Sequence, residues 1–146
     1  CITITVEGRR ALRAEIQALV VKSSSPQPRR VTNGVDSARV AMLLAVLERR
    51  AGLSLSDRDV YVSTVGGMKI TEPAADLAIA IAIASAVKDK PAKQSLAAFG
   101  EISLSGEIRG VTNPALRQSE AKRLGHTNVI DSSSSQLAAA IAAALS

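Results

Sequence analysis

Residues 2–6 alternate Ile, Thr, Ile, Thr, Val, and residues 11–21 continue with Leu12, Ala14, Ile16, Ala18 and Val20 on one side. A period of two over β-branched residues, broken at Glu7-Gly8, predicts two strands joined by a turn. Lys22 to Pro28 (K-S-S-S-P-Q-P) reads as a polar loop, after which Arg29 to Val31 re-enters the sheet. The period then changes. Val40, Leu43, Leu44 and Leu47 share one face of a helix that Asp36 or Ser37 can cap, that runs to about Arg50, and that stops at Ala51-Gly52. Val60 to Val65 (V-Y-V-S-T-V) predicts a short buried strand ending at Gly66-Gly67.

Ala74 to Val87 carries almost no large polar group, and its Ile/Ala alternation fits a strand as well as a helix. Length and alanine content decide for a helix buried on most sides, with Pro73 before its first turn and Asp76 at the positive end of its dipole. Lys88 to Pro91 ends it. Leu96 to Gly100 leads into a predicted strand-turn-strand unit, Glu101 to Leu104 and Glu107 to Val111 around Ser105-Gly106. A helix from Asn113-Pro114 to about Leu124, a strand Asn128 to Ile130, a polar link and an alanine-rich helix Gln136 to Leu145 complete the chain. These elements form one α+β domain over residues 1–146, with a mixed sheet packed with helices.

At 146 residues the chain can bury roughly two-thirds of its unfolded surface, so a single core suffices. Tyr61 and Phe99 are the only aromatics, which leaves a core of Ala, Ile, Leu and Val whose elements approach closely. One cysteine excludes an internal disulfide and a cysteine-based zinc site, in keeping with a reducing cytoplasm. The chain starts at Cys1 with no signal peptide and no run long enough to span a bilayer, and it reads as a soluble piece of a larger protein. A net charge of +5 favours polyanionic partners, although a solvated basic surface gives the same number.

Several patterns invite a chemical reading. Gly66-Gly67-Met68-Lys69-Ile70-Thr71 places glycines beside a lysine and a threonine, but lacks the G-x-x-x-x-G-K-[ST] spacing of a phosphate loop, so a turn is expected. Ser85 and Lys88 match S-x-x-K, without the companion motifs of enzymes that use it. His126, the only histidine, follows Gly125 in a turn, and nothing places a nucleophile and a carboxylate beside it. Glu101 and Glu107 form an acid-base pair only if the hairpin brings them together, and solvated strand-end carboxylates are commoner.

The order V-G-G-M-K-I-T-E-P-A-A-D-L-A (Val65 to Ala78) and G-E-I-S-L-S-G-E-I-R-G-V (Gly100 to Val111) resembles the C-terminal Lon-protease-like domain of the bacterial RadA (Sms) recombination and repair ATPases. Ile4 to Gly8, Glu15 to Val20, Pro28 to Val31 and Ala41 to Leu47 resemble it too, so the likeness covers most of the chain up to Ser132. It implies the Lon proteolytic fold, similar to the second domain of ribosomal protein S5. Active Lon proteases use a serine in P-S-A-G and a lysine on the helix after G-E-[IV]-x-L-x-G. Here Pro73-Ala74-Ala75-Asp76 puts Ala74 at the serine, and counting from Gly100 without gaps puts Arg117 at the lysine. An alanine has no nucleophilic oxygen, and an arginine does not serve as a general base near neutral pH. Hydrolysis by this dyad is excluded, and neither Ser119 nor Thr71 matches the motif.

The resemblance further implies a bacterial, cytoplasmic DNA-repair protein whose absent N-terminal portion carries a four-cysteine zinc finger and a RecA-like ATPase, and so holds the zinc, ATP and magnesium. No cofactor is expected in residues 1–146. The implied whole is a hexameric ring that drives branch migration on recombinase-coated DNA intermediates. Cations that sit where segments leave the sheet are the expected contacts to double-stranded DNA: Arg39, Lys69 and Arg109, with Arg30, Arg29 and Arg117 adding to the same face. The scarcity of aromatics argues against stacking on single-stranded bases. A structural oligomerisation module with a merely solvated basic surface is the alternative.

Overall fold

The computed structural model describes residues 1–145. At its centre β1 (Ile2–Glu7) and β2 (Arg10–Lys22) run antiparallel, with Ile2 opposite Glu15 and Glu7 opposite Arg10. Two residues suffice for the turn because Gly8 adopts φ +60°, a left-handed value that opens tight hairpin turns matched to strand twist. β4 (Arg58–Thr64) pairs antiparallel with the second half of β2, and β3 (Arg30–Asn33) lies parallel to β4 at the sheet edge. On the other side β5 (Leu96–Ala98) runs parallel to β1, and β8 (Asn128–Ile130) parallel to β5. The order is β3-β4-β2-β1-β5-β8, a mixed sheet in an α+β domain.

Four α-helices follow the predicted positions: α1 (Ser37–Ala51), α2 (Asp76–Lys88), α3 (Pro114–Arg123) and α4 (Leu137–Leu145). The Asp36 side chain caps α1 by accepting from the Arg39 backbone N–H. Strand alternation decides which side each helix covers. Ala14, Ile16, Val60 and Val62 face one main core with Leu43 and Leu47 of α1, the apolar run of α2, and Ile141 of α4. The opposite parity, Ile4 with Ala97, packs against Ala121 of α3. Every residue of α2 from Asp76 to Ala84 is buried, which its alanines allow by letting the neighbouring backbones close in. α3 covers only part of its face: Leu19, Tyr61 and Val31 stand opposite one another across β2, β4 and β3, and Leu19 and Val31 are exposed.

The predicted strand-turn-strand unit is shorter than expected and separate from the main sheet. Its strands are only β6 (Glu101–Ile102) and β7 (Ile108–Arg109). The turn starts early because the Ser103 carbonyl accepts from Gly106 N–H at 3.0 Å and the Ser103 N–H donates to the Glu107 carbonyl at 3.0 Å. That leaves Leu104 exposed at the loop tip.

Strand direction gives each half of the sheet two edges, and the halves are staggered: β1 pairs with residues 10–15 of β2 and β4 with residues 16–22, so Thr64 at the carboxyl end of β4 stands level with Ile16, and Glu7 at that of β1 with Arg10. β1, β3, β4, β5 and β8 all point the same way, against β2 alone. Their carboxyl ends form the upper edge, where α1, α2 and α3 begin; their amino ends form the lower edge, where α1 and α2 finish. On the upper edge a 3₁₀ turn, Val65–Gly67, follows β4 and leads to Ile70, which bridges to Val35 and donates its N–H to the Gly34 carbonyl at 2.8 Å.

Gly34 fixes that crossing. At φ +85°, a Cβ there would lie 2.5 Å from the Met68 carbonyl oxygen and closer still to Thr64 Oγ1. Gly34→Ala is expected to cost about 3 kcal/mol, from backbone strain plus overlap. At Gly8, with open space around it, Ala should cost only ~1 kcal/mol, from strain alone. Urea denaturation of the two variants tests this, and equal losses would contradict the packing described.

Candidate nucleic-acid interface and the buried ion pair beside it

Pro73–Ala75 forms a 3₁₀ turn that feeds directly into α2, and Ala74 within it is buried. Its carbonyl accepts the Gly100 N–H at 2.8 Å, and the Gly100 carbonyl accepts the Leu77 N–H at 3.1 Å. The chain that precedes β6 is thereby stitched to the start of α2. Neither residue presents a nucleophile.

Arg117 is 0 % exposed, the largest fully buried side chain of the described residues. Its Nη1 donates to Glu72 Oε1 at 2.5 Å and to the Ile4 carbonyl at 2.8 Å. Nη2 donates to Glu72 Oε2 at 3.0 Å and Thr112 Oγ1 at 3.3 Å, and Nε to the Thr112 carbonyl at 2.8 Å. All five guanidinium donors therefore have acceptors, the condition for keeping this charge out of water. The expectation that Arg117 contacts DNA is corrected here: a guanidinium enclosed on every side has nothing to offer a phosphate.

Glu72 completes the arrangement. Besides Arg117 it accepts from Thr5 Oγ1 at 3.0 Å and from the Val6 N–H at 3.1 Å. Burial alone would raise its pKa, but the Arg117 hydrogen bonds, the Val6 N–H and the Arg117 charge outweigh this and hold the carboxyl below its ordinary value. One ion pair thus ties β1, the segment before α2 and α3 together.

A second pair lies one segment away. Arg39, in the first turn of α1, donates through Nε to Asp76 Oδ1 at 3.3 Å and through Nη2 to Oδ2, and the Ile102 N–H reaches the same Oδ2 at 3.1 Å. Burial raises the Asp76 pKa even against these partners, while hydrogen bonding to Asp76 raises that of Arg39. Asp76 was expected only to complement a helix dipole; it also anchors α1 and β6. Arg39 stays partly exposed, with its charge shared inward.

Around these pairs the upper edge gathers the exposed cations. Lys69 follows the 3₁₀ turn, and Arg109 stands opposite Glu101 in β7. Arg9 in the hairpin turn and Arg10 at the start of β2, only three and four residues beyond the Val6 held by Glu72, lie on the same side of the sheet's β1 half. Nothing in the local sequence marks them out from other surface arginines. None of these four side chains has a hydrogen-bond or ion-pair partner among the described residues. Nearby Glu7, Asp36 and Glu101 moderate the field, whereas the starts of α1, α2 and α3 add positive partial charge.

Arg30 is not with them. It opens β3 at the lower edge, and its guanidinium donates to the Leu55 carbonyl at 3.0 Å and to the Arg58 carbonyl. Its expected place on the same face as Lys69 is corrected accordingly: one strand length separates them, and most of its donors close a loop. Arg29 lies at the lower edge as well.

The other candidates stay apart. Ser85 Oγ donates to the Lys90 carbonyl. His126 Nε2 accepts from Arg13 Nε at 3.2 Å, and burial, then the Arg13 charge, lowers its pKa. Glu101 faces Arg109 whereas Glu107 bridges to Gln136. Among the described residues no three His, Cys, Asp or Glu side chains cluster to hold a metal, and no helix is long and apolar enough to cross a membrane. An open cavity of about 790 Å³ lies between Ala18, Ala82, Ser85 and Lys90, away from both ion pairs.

Residues 36–135 match the family model described as subunit ChlI of Mg-chelatase. The chain belongs to this family. The matched span holds both ion pairs except for the β1 partners of Glu72, together with Lys69 and Arg109. The chain is also similar to the DNA repair protein RadA of Mycobacterium tuberculosis strain H37Rv, 48% identical over 126 residues, covering 86% of this chain and 26% of the relative. RadA of Streptococcus pyogenes serotype M1 is 48% identical over 128 residues, 88% of this chain and 28% of the relative. RadA of Mycolicibacterium smegmatis is 47% identical over 129 residues, with the same shares. The chain spans about a quarter of the length of these relatives.

Removing either partner of the Arg117–Glu72 pair leaves an unmatched buried group. Arg117→Ala is expected to cost about 3–5 kcal/mol in denaturant unfolding. Because the Glu72 pKa is depressed on folding, its contribution is full above the unfolded value of 4.5 and fades as pH falls through the folded value. The stability gap between wild type and Glu72→Gln should therefore be constant from pH 6 to 8 and shrink below about pH 4.5; a constant gap down to pH 3 would refute the assignment.

Proposed function

We propose that this chain is a proteolytically inactive, Lon-like scaffold domain of a RadA-type DNA-repair protein, and that its upper edge contacts the backbone of double-stranded DNA. The observation that carries the reading is the filled site. Where the resemblance expects a serine and a lysine stand a buried Ala74 and an Arg117 committed to Glu72, while unpaired cations gather outside. The similarity to RadA proteins supports the repair context. Lys69 and Arg109 are the leading contacts, Arg9 and Arg10 extend them across the hairpin tip, and Arg39 takes part with its outward donors.

Phosphate contact needs only positioned cations, so the interface binds duplex without reading sequence. In the longer protein the domain supports a ring, for which a hexamer is proposed, acting in branch migration on recombinase-coated DNA. ATP, magnesium and zinc are assigned to the portion outside these residues, since no G-x-x-x-x-G-K-[ST] run and a single cysteine occur here.

Lys69→Glu with Arg109→Glu should weaken duplex binding at least tenfold and lower the slope of log affinity against log salt by about two units. Fluorescence anisotropy at 50 and 200 mM salt reads both, with size-exclusion chromatography of the same samples. Unchanged affinity and slope with unchanged assembly would sink duplex binding and leave a structural oligomerisation module.

A further inference from the structure

Leu104, at the tip between β6 and β7, is 71 % exposed, more than any other large apolar side chain among the described residues. The tip that carries it is held in place. A Cβ on Gly106 would lie 3.0 Å from that of Arg50 in the last turn of α1, so the chain packs directly on that side chain. The Gly106 carbonyl accepts the Leu137 N–H at the start of α4 at 2.8 Å, and the Ser135 carbonyl accepts the Ile108 N–H at 2.8 Å. Ser103 closes the tip from within, its Oγ accepting the Glu107 N–H at 3.2 Å. A leucine on an anchored tip keeps its apolar surface in water, and no contact within the molecule relieves it.

A second apolar surface is also without cover. Leu19 and Val31 flank Tyr61 on the sheet face that α3 leaves bare, at 57 % and 47 % exposure. They line the open cavity of about 790 Å³ together with Ala82 and Ala86 of α2, whose small side chains leave the room. Leu104 does not fill this cavity in its own molecule. The hairpin sits at the first residue of α4, whereas Lys93, just past the Lys90 that lines the cavity, donates its N–H to the Ala144 carbonyl near the last, at 2.9 Å. Nine residues at about 1.5 Å each set the two ends roughly 13 Å apart, beyond the reach of a leucine side chain. Each surface also carries a free charge, and the signs are opposite. Glu107, exposed beside the tip, and Lys90, exposed at the cavity, have no side-chain hydrogen bond or ion pair among the described residues.

We propose that the tip and the cavity are the two halves of one contact between copies of this chain. Leu104 of one copy enters the cavity of the next against Leu19 and Val31, and Glu107 comes opposite Lys90. The occupant is a second copy because projection and recess lie on the same chain, are too far apart to meet within one molecule, and match in polarity and in charge sign. A contact that joins two different surfaces is head-to-tail, so each copy keeps a free tip or a free cavity until the series closes on itself. The inference rests on the ring of the proposed function and names the surfaces that join it, apart from the upper-edge cations.

Leu104→Glu and Leu19→Glu change exposed positions and leave the fold intact, which circular dichroism checks. Sedimentation velocity of the wild-type chain at rising concentration should show species larger than a dimer, and each variant alone should stay monomeric. Mixed in equal amounts, the two variants should form a dimer and nothing larger, since only the intact tip of the Leu19→Glu copy and the intact cavity of the Leu104→Glu copy remain to meet. Variants that assemble like the wild type overturn this contact and leave the ring standing. So does a mixture that stays monomeric, and so does assembly lost in Leu104→Glu but kept in Leu19→Glu, which would put the partner of the tip elsewhere. A wild-type chain that is monomeric at every concentration overturns the contact and the ring together. Duplex titration of the same samples reports separately on the upper edge.

Discussion

The structure depends on one buried charge. A guanidinium removed from water costs several kcal/mol, and Arg117 is tolerated only because all five of its donors meet acceptors, from Thr112 just before α3 and from the distant Ile4 and Glu72. Two acceptors belong to Glu72, which also receives Thr5 and Val6 of β1. The geometry of the central hairpin, the approach to α2 and the docking of α3 are therefore set by the same contact. Arg117 is a structural joint, and its specificity comes from hydrogen-bond geometry that apolar packing would not supply.

From that joint the electrostatics of the surface follow. Arg39 and Asp76 form a second inward pair, so the cations that lie over the start of α2 are divided between structural and free. Those left free on the upper edge, Lys69, Arg109, Arg9 and Arg10, stand among carboxylates and helix starts, which gives a modest and local field. At the amino ends of β3 and β4, Asp59 and Glu48 accept backbone N–H groups and Arg30 is spent on backbone carbonyls.

Much of the fold was legible. Alternation over residues 2–6 and 11–21 specified the hairpin, because period two is a local property of an extended chain with one buried face. Asp36 and Gly52 marked the ends of α1 by side-chain capping and a left-handed backbone. The Ile/Ala alternation of α2 was read correctly as a helix because length and alanine outweighed period. The β6–β7 unit was read too long, since nothing local announces that Ser103 closes the turn early through its backbone.

The site was legible only in part. Sequence by itself determined what residue types are present: no nucleophile at Ala74, no titratable amine at position 117, no phosphate loop, and an excess of cations. It could not determine where those cations point. Whether an arginine is a ligand for phosphate or a buried strut depends on acceptors that are far away in the chain, as Ile4 and Glu72 are for Arg117. Which of them share an edge depends on strand direction and register, which send Arg30 away from Lys69. Charge is a property of a residue; its availability to a partner belongs to the fold.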